Sequence, residues 1–423
     1  MLQKIIDTIK KLDIGVWLIN ETVTESAEVY FICKNEDMRR MKKTRDFSVT
    51  VFRDFDSDGK KMRGSSCLIV HPGMSEEEIS FKLKTAYDAA QYVKNPYFEL
   101  AGPVKDTCIA KDDLSVLSPE EALTIMSEAL FAPDRTEDAF INSAEIYAVK
   151  KTEKILSSAG TDVMYTSARV KGEFVVQCIS PKDVEMYFDF SYNNPDTLAL
   201  SKLASDAIDI VSDRAKASEA PAAGEYNLIL TEKHVYTLLS SYLEKADASM
   251  IFAGYSPYRI GTCVQGDSIK GEKLNITLIP SLPYSSDGIP MPERPLLEEG
   301  VLKTIPGATR FSRYLGIEPV GSYDAIRVSN GTLSLEDMKK QPCILPVAFS
   351  DFQMDAMSGR FGGEIRLAYI YDGENVKIVT GGSVSGSLIE KQSELTFSKE
   401  TYKDSVYSGP AAILIPGASV AGA

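Results

Sequence analysis

The apolar positions near the start of the chain, Leu2, Ile5, Ile6, Ile9 and Leu12, recur at helical spacing. Gly15 ends the helix they predict, ahead of strands around Val16–Asn20 and Glu28–Cys33. Phe47–Phe52 and Cys67–Val70 alternate as strands do, and the turn-rich Asp54–Gly59 between them predicts a hairpin. Ser75–Glu78 is a capping box opening a helix with the core stripe Ile79, Leu83, Ala86, Ala90 and Val93. Ser118–Glu121 repeats that signal for a helix through Leu130. Tyr147–Lys154, Met164–Val170 and Phe174–Cys178 read as strands, with Lys171–Gly172–Glu173 as a tight turn. Leu200, Leu203, Ala204, Ala207, Ile208 and Val211 then mark a long helix.

That helix runs into Ala217–Gly224, a small-residue and proline stretch that can bury little and reads as a linker. Beyond it, Leu228–Leu230 predicts a short strand and Thr231 a helix cap. Val235, Leu238, Leu239, Tyr242 and Leu243 give the following helix one core face. Strand signals then dominate: Leu274–Ile279, Ala325–Val328, Cys343–Phe349, Ile365–Tyr371, Val376–Val379 and Ala412–Ile415. The expected organisation is α+β. An N-terminal layered α/β domain spans 1–216, a linker 217–225, and a mostly β C-terminal domain with a few helices 226–423. A chain of 423 residues is long enough for two or three domains.

Charge narrows the partners. Sixty acidic against 46 basic residues give a net charge of −14, which repels phosphate backbones and anionic lipid, so neither nucleic acid nor membrane is expected. The one basic cluster, Arg39, Arg40, Lys42, Lys43 and Arg45, has no interleaved aromatics and reads as a solvated face. Cys33, Cys67, Cys108, Cys178, Cys263 and Cys343 form no C-x-x-C pair, the usage of reduced thiols in a cytoplasmic protein. Lys4, Asp7, Lys10 and Lys11 interrupt the N-terminal apolar residues, and Pro416 and Gly417 break the Ala411–Ala423 tail, so neither end reads as a signal or a membrane span.

Candidate chemistry is sparse. Asp54, Asp56, Asp58 and Gly59 match the first half of a calcium loop, but Ser65 stands where the closing glutamate belongs. His71 precedes Pro72–Gly73 in a turn, and His234 sits in a helical first turn beside core residues, a place for a hydrogen-bonded structural histidine. Gly381–Gly386 lacks the second glycine of a nucleophile elbow, because Ser385 occupies that place. No catalytic residue, metal ligand or cofactor is expected.

Tyr226–Gly261 and its flanks resemble the centre of the C-terminal domain in the TldD/TldE (PmbA) family of zinc proteases, also known as modulators of DNA gyrase. Asp287–Leu302, Thr309–Gly316, Phe361–Ser387 with the turn Asp372–Asn375, and Gly409–Gly422 are similar to further family segments in the same order. The first half resembles the family more loosely. The resemblance implies an H-E-x-x-x-H helix in the catalytic member, whereas the corresponding helix here offers Thr237–Lys245, TLLSSYLEK, with too few ligands for the three that a catalytic zinc needs. It therefore implies the metal-free subunit. That subunit would pair with a zinc-bearing TldD-like subunit, or with itself as a homodimer, and would shape a cleft for unfolded peptide. Thr237, Ser241, Tyr255 and Arg259 are the expected cleft lining. A self-sufficient hydrolase and a homodimeric peptide-binding protein are the alternatives. The basic cluster gives the gyrase name no support.

Overall fold

The computed structural model describes residues 1–110 and 113–422; the final residue of the Ala411–Ala423 tail lies outside the described residues. The first half contains helix α1 (Leu2–Lys11), strands β1 (Val16–Ile32), β2 (Asn35–Ser57) and β3 (Lys60–Val70), and helix α2 (Glu76–Ala90). After β4 (Val104–Cys108) and α3 (Asp113–Val116), the same order recurs. It comprises α4 (Pro119–Phe131), β5 (Ala139–Ser157), β6 (Thr161–Cys178), β7 (Val184–Tyr192) and α5 (Thr197–Lys216). The leading strands of the two sets, β1 and β5, pair antiparallel from Leu18 opposite Ser157 to Ile32 opposite Ser143. One sheet results, β3-β2-β1-β5-β6, with β7 and the parallel β4 sharing the outer edge of β6.

Alternation along these strands puts apolar side chains on one face, and the helices cover it in two pairs. Ile5 and Ile9 of α1 and Ile79 and Leu83 of α2 close over Ile19, Phe47, Val49 and Val51. Leu123 and Met126 of α4 and Leu200 and Ala204 of α5 close over Ile141, Ile146, Phe174 and Val176. Each large side chain so buried contributes about 1.5–3 kcal/mol. Both capping boxes form, Ser75 with Glu78 and Ser118 with Glu121.

Two local expectations change, and a third, the Asp54–Gly59 hairpin, is borne out with a tighter turn. Lys171–Gly172–Glu173 lies inside β6, paired with β5 on one side and β7 on the other. Gly172 is there because a Cβ would stand 2.5 Å from the Glu145 carbonyl and 2.7 Å from the Phe190 ring, so the glycine makes room rather than a turn. The stretch after α5 is more closely packed than its composition suggests, with Ala217 buried against Ala348 and Leu367. Between β2 and β3, Asp58 and Gly59 both take positive φ, 52° and 73°, the two-residue turn suited to strand twist. Asp54 is held there by the Arg63 guanidinium at 2.6 and 2.7 Å, which removes it from any calcium loop.

The second half contains β8 (Gly224–Thr231), α6 (Lys233–Ala246), α7 (Ala248–Phe252), β9 (Ile276–Ile279), β10 (Arg294–Glu298) and β11 (Val301–Leu302). Next come α8 (Thr309–Tyr314), β12 (Ala325–Val328), α9 (Leu335–Met338), β13 (Cys343–Asp355), β14 (Arg360–Tyr371) and β15 (Val376–Val379). The last elements are β16 (Ser383–Ser387), α10 (Leu388–Lys391), β17 (Thr396–Phe397), β18 (Thr401–Lys403), β19 (Tyr407–Pro410) and β20 (Ala412–Ala421). Strands β13-β8-β20-β16-β14 form a ring, closed by pairing of β14 back onto β13. A second sheet runs β11-β10-β9-β12-β19-β18, and one apolar cluster joins both sheets through α6. The chain is thus α+β. The halves touch where Tyr165 meets Tyr284, at 6.1 Å between ring centroids, and where the Tyr314 hydroxyl donates to the Pro96 carbonyl at 2.8 Å. Among the described residues no helix is long and apolar enough to cross a membrane.

Arg63 also donates to the Phe98 carbonyl at 2.7 Å and lies over the Tyr97 ring at 4.3 Å. Replacing it by Met orphans Asp54 and that carbonyl, and should lower unfolding stability by about 2–3 kcal/mol in chemical denaturation. Asp56→Asn, in the same hairpin, should leave stability unchanged within about 0.5 kcal/mol.

Candidate functional site

Helix α6 occupies the centre of the second half because its apolar residues point in most directions. Val235, Leu238, Leu239, Tyr242, Leu243 and Ala246 are all buried. Its polar side chains are taken up locally. Thr237 Oγ1 donates to the Lys233 carbonyl (3.0 Å), Ser240 Oγ to that of Thr237 (3.1 Å) and Ser241 Oγ to that of Leu238 (2.6 Å). The Tyr242 hydroxyl donates to Gln392 Oε1 at 3.1 Å, Lys245 stands 5.8 Å from the Tyr258 ring centroid, and Glu244 is exposed. Hydroxyls turned onto their own helix and an ammonium group are not zinc donors. Among the described residues no three His, Cys, Asp or Glu side chains converge anywhere as a metal set. The donors present do not fit the zinc implied by the family resemblance.

The start of α6 is chemically richer. Thr231 ends β8 and caps nothing; the N-cap is Glu232, with φ 52° and ψ −120° and no side-chain cap. A non-glycine residue in that region is strained by about 1–3 kcal/mol and persists only where its surroundings hold it. Here its N–H is pinned to the Ala411 carbonyl at 2.9 Å, where β19 passes into β20. Beside it, Lys233 crosses to Asp189 of β7 at 2.8 Å, so residues of both halves meet here. Asp404 Oδ1 accepts the N–H groups of Val406 and Tyr407, each at 2.8 Å, while burial pushes its carboxyl pKa above the ordinary value. Solvent still reaches Glu232, yet desolvation first and Asp206 second push its carboxyl the same way. Tyr192, Tyr236, Tyr402 and Tyr407 are all shifted upward by burial, with Asp404 a further cause for each. A carboxyl whose pKa is raised, set beside tyrosine hydroxyls, is in a setting where protons can be exchanged.

His234 does not join this chemistry. It is 9% exposed and wedged edge-on between Phe349 and Phe352, with ring centroids 4.8 and 5.4 Å away. Burial pulls its pKa down to about 4. His71, the other histidine, is exposed with Nδ1 3.1 Å from Asp46. Of the four residues expected to line a cleft, Thr237 is half-buried and Ser241 is 5% exposed. Tyr255 is 63% exposed, and Arg259 is exposed with a guanidinium N–H on the Tyr258 carbonyl at 2.7 Å. Glu232, Asp404 and their tyrosines were not found from sequence. They lie on separate strands and loops, and no spacing announces them.

Residues 223–422 match a family profile described as the PmbA/TldA metallopeptidase C-terminal domain. The second half of this chain belongs to that family. The expectation raised by Tyr226–Gly261 therefore holds, and structural likeness carries the PmbA/TldD fold across both halves. A crystal structure from Thermotoga maritima, described as a modulator of a DNA gyrase, superposes with TM-score 0.79 at 16% identity, covering 100% of both chains. TldE from Thermococcus kodakarensis gives 0.78 at 15% identity, covering 98% of this chain and 100% of its own. A modulator of DNA gyrase from Bacteroides thetaiotaomicron gives 0.76 at 15%, covering 100% and 98%. No curated protein matches the sequence.

The buried His234 sets a pH dependence. Its folded pKa lies below the ordinary 6.5, so the unfolded chain takes up the proton first and His234 costs stability as pH falls from 6.5 towards 4. Asp404 and Glu232, with raised pKa, act in the opposite direction, so the difference between variants isolates the histidine. His234→Phe should gain on the parent by about 3 kcal/mol between pH 7 and pH 4 in urea denaturation. Parallel stability curves for the two proteins would contradict this placement.

Proposed function

We propose that this chain is a non-catalytic subunit of a cytoplasmic TldD/TldE-like metalloprotease complex, working opposite a zinc-bearing subunit to shape the cleft for unfolded peptide. The observation that carries this reading is α6: it sits in a PmbA/TldD C-terminal domain, yet every polar side chain from Thr237 to Lys245 is engaged locally, exposed or chemically unsuited to zinc. Residues 1–216 and 226–423 are taken as its two domains, joined by 217–225. The exposed Tyr255 and Arg259, together with Thr237 and Ser241 of α6, are the proposed cleft lining. Unfolded chains can be held there through their backbones with little demand on sequence. If no zinc-bearing sister exists, a homodimer using the same surface takes its place.

A second reading, a self-sufficient hydrolase, is favoured by one observation: Asp404 and Glu232 are carboxyl groups with raised pKa beside tyrosines, the setting of an acid–base pair. The two readings separate in one assay. The purified chain alone should leave an unfolded peptide intact with or without chelator. Co-expression with an H-E-x-x-x-H sister should give cleavage that chelator abolishes. Chelator-resistant cleavage by the lone chain, lost in Asp404→Asn, would replace the subunit reading with the hydrolase one.

A further inference from the structure

The face of the first sheet turned away from α4 and α5 holds an open cavity of about 230 Å³ whose walls include Tyr30, Asp37, Glu145, Glu173, Val175 and Tyr187. Two bulges shape it. In β2, Met38 pairs with Tyr30 and Glu36 with Phe31, which leaves Asp37 as the extra residue; in β5, Asn142 is the extra residue between Ile141 and Ser143. Such an insertion bends its strand and re-aims a side chain. Strand pairing then sets Tyr30, Glu145, Glu173 and Asp189 opposite one another in a single row across β1, β5, β6 and β7. Like charges in directly opposed cross-strand positions repel. Asp189 is relieved by Lys233 at 2.8 Å. Glu145 and Glu173 receive only hydroxyl donors, from Tyr147 and from Tyr187, the latter at 2.9 Å. The cations of the adjoining row are engaged: Arg40 with Glu28 at 3.1 Å and with the Tyr30 hydroxyl, and Lys171 with the Tyr147 ring, 5.8 Å from its centroid. Among the described residues no cation is in ion-pairing distance of Asp37, Glu145 or Glu173, and none lines the cavity.

We propose that this cavity is a subsite for one cationic side chain, a lysine or an arginine, of an extended peptide. Glu145, Glu173 and Asp37 meet the charge, and the methylene stem lies along Val175 and the ring of Tyr187, which is 56% exposed. Charge complementarity names the occupant: opposed carboxylates with no cation of their own, beside aromatic rings, attract a positive group and repel an acidic one. The volume has room for one long side chain and not for a folded domain, so the backbone that carries it stays outside, over the open sheet face. The lone chain carries every residue named, so the proposal is independent of the subunit reading.

The test is titration of the full chain, at constant ionic strength, with end-capped Gly-Ser peptides that carry a single lysine, arginine or glutamine, followed by saturation-transfer NMR. The lysine and arginine peptides should bind saturably, and the glutamine peptide should bind more weakly by about fivefold or more. Glu145→Gln and Glu173→Gln should each weaken the cationic peptides by a similar factor, as should Tyr187→Leu through loss of the ring. Glu173→Gln removes one of two opposed like charges at an exposed position, so it should melt no lower than the parent, which separates lost binding from lost folding. Asp56→Asn, which lowers the net charge equally from the β2–β3 hairpin, should bind as the parent does. Equal affinity for the glutamine peptide, or parental affinity for the cationic peptides in both glutamate variants, would overturn the proposal.

Discussion

Helix α6 lies between a closed barrel and an open sheet, and a helix so enclosed must satisfy its polar groups from its immediate surroundings. That constraint orders the second half. Ser240 and Ser241 bond back to their own helix, Tyr242 reaches Gln392, and the apolar remainder joins the two sheets in one cluster. A metal would need ligands projecting from this helix into an open space, and its side chains serve packing instead. The same constraint explains His234, which stays neutral because charging it between Phe349 and Phe352 would take an ion out of water.

The first half answers a different requirement. Long antiparallel strands need one face covered, and the two helix pairs provide that cover at opposite ends of one sheet. The other face is apolar where Leu18, Ile155, Val163 and Tyr165 meet Leu282 and Tyr284 of the second half, and the exposed edge of β2 is dense in charge. Arg40, Lys43 and Arg45 pair with Glu28, Glu25 and Glu21 of the neighbouring strand, and Arg39 pairs with Glu36 of its own. Charged side chains on an edge strand discourage unwanted pairing with other chains. The basic cluster is thus a self-neutralised ribbon, consistent with its failure to look like a nucleic-acid site.

Much of this was legible in the sequence, for identifiable reasons. Both capping boxes, the α1 and α5 stripes and the strands Ala325–Val328 and Val376–Val379 are local signals, and they appear where predicted. Gly172 misled because close approach of another side chain demands glycine as firmly as a turn does. Thr231 misled because a strained backbone at Glu232 begins the helix in place of a side-chain cap. The sequence signals only parts of the long strands β1 and β2, since their polar stretches lack apolar alternation and are held by neighbours on both sides or by cross-strand charge pairs. The Glu232–Asp404 surroundings are assembled from residues far apart in the chain, so only folding reveals them.

The central claim is that α6 is a structural helix in a chain that works beside a metal-bearing partner. The most direct test is native mass spectrometry of the tagged chain isolated from its own cytosol, with metal content determined on the same particle. The account predicts a hetero-oligomer in which zinc travels with the second polypeptide and is absent from this chain once the two are separated. Zinc retained by this chain alone at about one per chain, through separation and chelator, would contradict it.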